Sequence, residues 1–175
     1  MAGEPKKPSC SGSRIMNKTG LLFSLGLIWA GAVAQAQQVG PVTGLDIPRF
    51  VSIKASEAYA RRGPGKKNKI DWVFVRRNLP VRVVAEYGRW RKVEDFDGEG
   101  GWVHYSMLSQ SETAIVTAAK LAVHFEPRAG KKPMLIAERG VIAKVLGCEG
   151  DWCEITIADQ SGWAARDGLW GDLGN

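Results

Sequence analysis

The stretch from Leu79 to Glu94, LPVRVVAEYGRWRKVE, decides the fold of this chain. Its apolar residues alternate with others around Val81 and Val83, and the alternation resumes at Val93 after a turn signal at Gly88. A period of two places one face of a strand in a core and the other in water. The stretch therefore predicts two short strands joined by a turn.

The same pattern returns about sixty residues later, so that residues 52–108 match residues 114–170. The matched positions are Val83 and Val145, Trp90 and Trp152, Val93 and Ile155, Gly101-Trp102 and Gly162-Trp163, and Leu108 and Leu169. Repetition of a whole unit implies two similar folds in series. Turn signals separate about five short strands in each copy, which favours a small barrel. We predict an all-β chain with two tandem barrels, at 48–110 and 112–172.

The N-terminal residues predict a leader for export. Residues 21–34 are mostly apolar, follow basic residues and end in small ones, which is typical of a secretory signal peptide. The run is shorter than the roughly 20 residues that span a bilayer, although an uncleaved membrane anchor is the rival interpretation. We expect a cleaved signal peptide over residues 1–36, with cleavage after Ala34 or Ala36 and a true start at Met16.

Two cysteines remain after such cleavage, and export would place them where disulfides persist. Cys148 and Cys153 flank a four-residue turn between two predicted strands. Opposed residues of an antiparallel pair have Cα atoms roughly 4.5 to 5.5 Å apart, which suits a disulfide. A metal site is the alternative, but the spacing differs from that of a zinc knuckle and only His104 and His124 could complete it. We predict the disulfide and no metal.

The charge of the chain suggests an anionic partner. The net charge is +6, of which residues 1–36 carry half. The loop over residues 61–69 holds five basic residues and no acid. Its arginines suit carboxylates or phosphates through paired hydrogen bonds, although such a loop can also be merely solvated. Nucleic acid is the usual partner of a basic patch, but export argues against it.

Several motifs recur in a fixed order along the chain. They are the loop Ala60-Arg61-Arg62-Gly63-Pro64-Gly65, then Trp90, then Gly101-Trp102-Val103 and a closing Leu108. Together they resemble the bacterial SH3-like family over about residues 48–172. Residues 72–81 further resemble exported tandem proteins of Gram-negative bacteria, in which the second copy often carries a Cys-x4-Cys pair. The resemblance implies a periplasmic binding protein. The second copy departs from the loop motif, with His124 at the place of Arg61 and Glu126 at that of Gly63.

The aromatic residues divide into a repeated and an unrepeated group. We expect the repeated tryptophans to fill the two cores, namely Trp90, Trp102, Trp152 and Trp163. The alternative is an aromatic groove for a glycan or peptide. Outside the repeated set, Tyr59 and Trp72 are better groove candidates. The predicted ligand-binding residues are Tyr59, Arg61, Arg62, Lys66, Lys67 and Trp72.

The sequence gives little support for a catalytic site. Neither histidine has a recognisable Ser, Cys or Asp partner pattern, and the carboxylates within residues 94–99 are typical of a solvated turn. We therefore predict a non-catalytic module without a cofactor or a transmembrane anchor, whose ligand is peptidoglycan or another envelope component. The alternative is an assembly protein whose barrels contact a partner envelope protein. The sequence leaves open the ligand, the copy that binds it and the oligomeric state.

Overall fold

A computed structural model of the chain describes residues 38–130 and 132–174. The predicted signal peptide, residues 1–36, lies outside the described residues. The described part begins with a short hairpin of β1 (Gln38–Val39) and β2 (Asp46–Ile47). Two seven-stranded antiparallel sheets follow it.

The first sheet holds its strands in the order β5-β4-β8-β7-β6-β3-β9. A 3₁₀ turn at Tyr105–Met107 precedes the last strand. The strands are β3 (Arg49–Ile53), β4 (Ala58–Arg61), β5 (Ile70–Phe74), β6 (Pro80–Tyr87), β7 (Trp90–Glu94), β8 (Gly100–His104) and β9 (Leu108–Ser109).

The second sheet repeats this arrangement strand for strand, in the order β12-β11-β15-β14-β13-β10-β16. A 3₁₀ turn at Arg166–Gly168 again precedes the last strand. The strands are β10 (Thr113–Val116), β11 (Lys120–His124), β12 (Leu135–Glu138), β13 (Ile142–Glu149), β14 (Trp152–Ile157), β15 (Gln160–Ala165) and β16 (Leu169–Gly171). The predicted tandem all-β fold is confirmed, with seven strands in each barrel rather than about five. Among the described residues, no helix is long and apolar enough to cross a membrane.

Aliphatic side chains fill both cores, and the expectation that the repeated tryptophans fill them is wrong. Val81, Val83 and Val93 are fully buried in the first barrel, and Ala164 and Ile155 in the second. The four repeated tryptophans are only half-buried. The reason is the two-residue period, since each of these tryptophans has the parity that faces away from the buried residues of its own strand.

An apolar seam joins the two barrels within one compact unit. Ile115 of β10 is fully buried against the core of the first barrel. The ring of Trp170 meets Phe50 edge to face, with centroids 4.9 Å apart, and lies 6.4 Å from Phe96. Arg139 lies over the face of Phe96 at 5.7 Å, within cation–π range. The second barrel thus supplies apolar surface that completes the first.

The Cys148–Cys153 disulfide is confirmed, with Cα atoms 4.0 Å apart across the β13–β14 hairpin. The equivalent cross-strand pair of the β6–β7 hairpin is Glu86 and Arg91. Both side chains are buried, and Arg91 Nε lies 3.3 Å from Glu86 Oε1. The same position in the two barrels is therefore linked by an ion pair in one and a covalent bond in the other.

The Glu86 carboxylate also holds the N-terminal hairpin on the first barrel. It accepts hydrogen bonds from the Thr43 hydroxyl (2.7 Å), from the backbone N–H groups of Val42 and Thr43 (3.0 and 2.9 Å) and from Arg49 Nη2 (2.7 Å). A Cβ atom at Gly40 would lie 2.6 Å from this carboxyl group, so the hairpin approaches closely. Burial raises the pKa of Glu86, but the hydrogen bonds outweigh it and lower the pKa from 4.5 to about 2.

Candidate functional site

A groove of about 560 Å³ opens on the surface of the first barrel. Three strands, β4, β7 and β8, the 3₁₀ turn after β8 and the loop between β4 and β5 contribute its walls. Its lining residues are Glu57, Tyr59, Arg61, Lys66, Arg89, Trp90, His104, Ser106 and Met107. The groove combines aromatic rings with basic side chains.

The register of β7 and β8 forms the aromatic wall. Trp90 and His104 are directly opposed across this strand pair, so their side chains share a face. Their rings meet edge to face with centroids 5.5 Å apart, and the ring of Tyr105 lies 4.9 Å from that of His104. The Ser106 backbone N–H donates to His104 Nδ1 at 3.4 Å, and the Ser106 hydroxyl lies 2.8 Å from the same nitrogen. The imidazole ring is thus held in place before any ligand arrives.

Tyr59 provides a further aromatic ring of the groove. It alternates with the buried Ala58 and Ala60 of β4 and is 44% exposed. A hydrogen bond to the Glu57 carboxylate, followed by the charge of that carboxylate, raises the pKa of the Tyr59 hydroxyl. The phenol is therefore neutral at physiological pH.

Three basic side chains line the groove against the single carboxylate of Glu57. Arg61 lies two residues after Tyr59 on the same face of β4, and its Nη1 donates to the Asn68 carbonyl at 2.7 Å. This bond ties the loop that carries Lys66 to the strand. Arg89 comes from the β6–β7 turn and is exposed. The groove is therefore net positive.

The structure brings only some of the predicted ligand residues together. Tyr59, Arg61 and Lys66 line the groove. Arg62 does not, since its Nε lies 2.8 Å from both carboxylate oxygens of Asp71. Lys67 is exposed on the loop, outside the groove lining.

Trp72 likewise lies away from the groove. It is paired with Ala60 of β4, whereas Tyr59 and Arg61 have the opposite parity on that strand. Its side chain therefore belongs to the other face of the sheet, where it is 39% exposed. The groove and Trp72 are separate features.

Sequence reasoning missed several residues of the groove. Arg89 and Glu57 were not singled out, His104 was considered only as a metal ligand, and Trp90 was assigned to the core. Strand parity carried a usable signal for Trp90, because it precedes Val93 by three residues and so faces the opposite side. Arg89 and Glu57 gave no such signal, since each lies outside the strands beside the groove.

Among the described residues of the second barrel, the positions that match the groove hold different side chains. Trp152 occupies the place of Trp90, but Ala165 stands at that of His104 and Asp151 at that of Arg89. His124, at the place of Arg61, is buried and packs edge to face on Trp152 at 5.8 Å. The hollow beside Trp152 also includes Asp167. This hollow therefore has one aromatic ring, two aspartates and Arg166, whose Nη2 donates to the Gly174 carbonyl.

A larger cleft of about 750 Å³ lies between β3 and the C-terminal residues. Its two arginines are engaged within the chain, since Arg49 pairs with Glu86 and Arg166 Nη2 donates to the Gly174 carbonyl. Phe50 is its only aromatic residue. Among the described residues, no group of three or more His, Cys, Asp or Glu side chains is placed to hold a metal ion.

Comparison with known proteins agrees with this geometry. The family profile of the bacterial SH3 domain matches residues 54–110 and 118–171, which together form more than half of the chain. The chain belongs to the bacterial SH3 domain family. The two matches coincide with the two barrels, and bacterial SH3 domains are generally binding modules. No curated protein matches the chain in sequence.

Two solved structures resemble this tandem bacterial SH3 protein. NlpC2 from Trichomonas vaginalis is 11% identical over 70% of this chain and 48% of its own, with a TM-score of 0.33. NlpC1 from the same organism is 10% identical over 75% of this chain and 48% of its own, with a TM-score of 0.34. The chain spans about half the length of each. We draw no functional argument from either.

Proposed function

We propose that the chain is a non-catalytic periplasmic module whose first barrel binds peptidoglycan, or another anionic envelope component, in the groove beside Trp90. One observation carries the proposal: several aromatic rings and three basic side chains face a common groove beside Trp90 in the first barrel, whereas the hollow beside Trp152 in the second barrel holds one aromatic ring, two aspartates and Arg166. Family membership supports a binding role.

The chemistry of the groove fits a ligand that combines flat apolar surface with anionic groups. The rings of Tyr59 and Trp90 offer wide surfaces on which a sugar ring or a peptide can pack. Arg61, Lys66 and Arg89 suit carboxylates, with which they form charge-assisted hydrogen bonds. Peptidoglycan stem peptides carry several carboxylates on a glycan. Lipid phosphates of the outer membrane are also anionic, but they lack the arrangement of a carboxylate-bearing peptide attached to a glycan.

Retention on purified sacculi tests the proposal. Arg89→Ala removes an exposed cation without a side-chain hydrogen bond in the described structure, and Tyr59→Ala removes an exposed ring. We expect each to weaken retention about ten-fold, which corresponds to about 1.4 kcal/mol. Arg62→Ala is the matched control, because that arginine pairs with Asp71 outside the groove. Added salt should reduce the retention of the wild-type protein on sacculi by a larger factor than it reduces the retention of Arg89→Ala.

The results distinguish the ligands. Equal retention of Arg89→Ala, Tyr59→Ala and Arg62→Ala would refute the groove as the site. Retention on vesicles that contain anionic lipid, together with none on sacculi, would move the ligand from peptidoglycan to lipid phosphate. Localisation is tested by fractionation, in which recovery from the cytoplasm alone would refute the periplasmic assignment.

A further inference from the structure

The strand β5 forms an open edge of the first sheet. It stands at the end of the strand order, and β4 is its only strand partner among the described residues. Alternate N–H and C=O groups of an edge strand point away from its neighbour, which makes the edge a template for another strand. The edge of β5 is thus available for pairing.

This edge is largely apolar, and its one bulge, at Asp71, lies before residues 72–74, which pair regularly with β4. Ile70, Trp72 and Val73 are each more than a third exposed, and Val75, which follows the strand, is 70% exposed. The only charge on the strand is Asp71, and Arg62 neutralises it. Native edge strands usually carry charges, prolines or bulges that prevent pairing.

The equivalent edge strand of the second barrel provides an internal comparison. β12 has four residues, follows Lys132 and Pro133, and carries the exposed charge of Glu138. Ile136 is its one largely exposed apolar side chain. β12 is therefore the shorter and more polar of the two edges, whereas β5 has a bulge at Asp71 and exposes more apolar side chains.

The charges that flank β5 indicate what kind of strand fits it. Lys66, Lys67 and Lys69 precede the strand, and Arg76 and Arg77 follow it. Between Glu57 and Glu86, Asp71 is the only acid. Antiparallel pairing of two copies centred on Trp72 would place Lys67 of one copy opposite Arg77 of the other, and like charges opposed across strands are destabilising. A second copy is therefore a poor occupant.

We propose that β5 accepts an extended acidic segment of a partner protein as an additional strand. The apolar middle of the segment packs on the exposed side chains of β5, its backbone completes the open hydrogen bonds, and its carboxylates lie near the flanking lysines and arginines. The edge adjoins the groove beside Trp90, because Val73 is paired with Tyr59 and Lys66 also lines the groove. The two barrel edges thus differ, since β5 exposes more apolar side chains than β12 does.

Two synthetic peptides test the proposal with the isotope-labelled protein. Both have ten residues with alternating Val and Thr in the middle, and they end in Glu-Glu or in Lys-Lys on each side. We expect the acidic peptide to shift the amide resonances of residues 70–75 and to bind at least ten-fold more tightly than the basic peptide at low salt. N-methylation of alternate amides of the acidic peptide should abolish these shifts, because it removes the edge hydrogen bonds.

Two surface variants provide the matched comparison. Trp72→Glu places a charge on the proposed edge, on the face of the sheet away from Tyr59, and Ile136→Glu places the same charge on the edge of the second barrel. We expect at least ten-fold weaker peptide binding for Trp72→Glu alone, with retention on sacculi unchanged in both. Absent shifts, undiminished binding of the methylated peptide, or equal effects of the two variants would overturn the proposal. A dimer in sedimentation with protected β5 amides would replace the acidic partner by a second copy.

Discussion

The substitution Glu86→Gln tests the clamp between the N-terminal hairpin and the first barrel. The side chain of Glu86 is fully buried and its carboxylate pairs with Arg49 at 2.7 Å and with Arg91 at 3.3 Å. The amide of glutamine keeps the shape but loses both ion pairs. Burial opposes ionisation, yet the hydrogen bonds from Thr43, Arg49 and Val42 lower the pKa of Glu86 from 4.5 to about 2.

The sign of the pH effect follows from these values. Glu86 binds its proton more weakly in the folded state, so its contribution is complete above about pH 4.5 and is lost as the pH falls to about 2. The difference corresponds to about 3 kcal/mol without screening. Because Arg49 remains partly in contact with solvent, we expect about 1 to 2 kcal/mol.

Urea denaturation of the wild-type protein and the variant, followed by circular dichroism, measures this contribution. Glu86→Gln should be less stable by about 1 to 2 kcal/mol near neutral pH, and the difference should vanish near pH 2. Glu94→Gln is the control, because Glu94 and its partner Arg82 are both partly exposed and such pairs contribute less than about 1 kcal/mol. A constant difference from about pH 7 to about pH 2 would refute the assignment of the effect to Glu86 ionisation.

Three further predictions concern stability. Cys148→Ala together with Cys153→Ala should cost about 2 kcal/mol in the free energy of unfolding, and treatment of the wild-type protein with a reductant should reproduce the loss. Gly100→Ala should lower the free energy of unfolding by more than about 2 kcal/mol, because the added Cβ would lie 2.1 Å from a carbonyl oxygen of the neighbouring strand. Gly98→Ala, where nothing lies within reach of the added Cβ, should lower it distinctly less in the same thermal melts. Trp170→Ala should cost about 2 to 3 kcal/mol and separate the unfolding transitions of the two barrels in calorimetry, whereas a single unchanged transition would argue against a stabilising seam.

Much of the fold could be predicted from the sequence because local patterns report it. The alternation of Val81, Val83 and Val93 fixes which faces are buried, and the spacing of Cys148 and Cys153 across a turn fixes the disulfide. The tryptophans were misassigned because repetition was given more weight than parity. A residue repeated at the surface and one repeated in the core look the same in a comparison of two copies, and only the strand period separates them.

The candidate site could be predicted only where strands set the geometry. Tyr59 and Arg61 share a face by alternation, so their joint place in the groove follows from the sequence. Arg62 follows the end of β4, and its partner Asp71 is set by tertiary structure, which a sequence without coordinates does not assign. The pairing of Trp90 with His104 depends on the register of β7 and β8, which the turn between them sets.

The two barrels satisfy one structural requirement in two chemical ways, and the choice bears on function. The cross-strand position of the first hairpin holds Glu86, whose carboxylate reaches beyond its own hairpin to the backbone of Thr43. A disulfide at that position would link the hairpin equally well but would leave the N-terminal segment without its anchor. Among the described residues no such segment packs on the second hairpin, where the Cys148–Cys153 bond links the two strands. The first barrel is therefore the one whose surroundings are fixed by additional contacts, and it is also the one that carries the aromatic and basic groove.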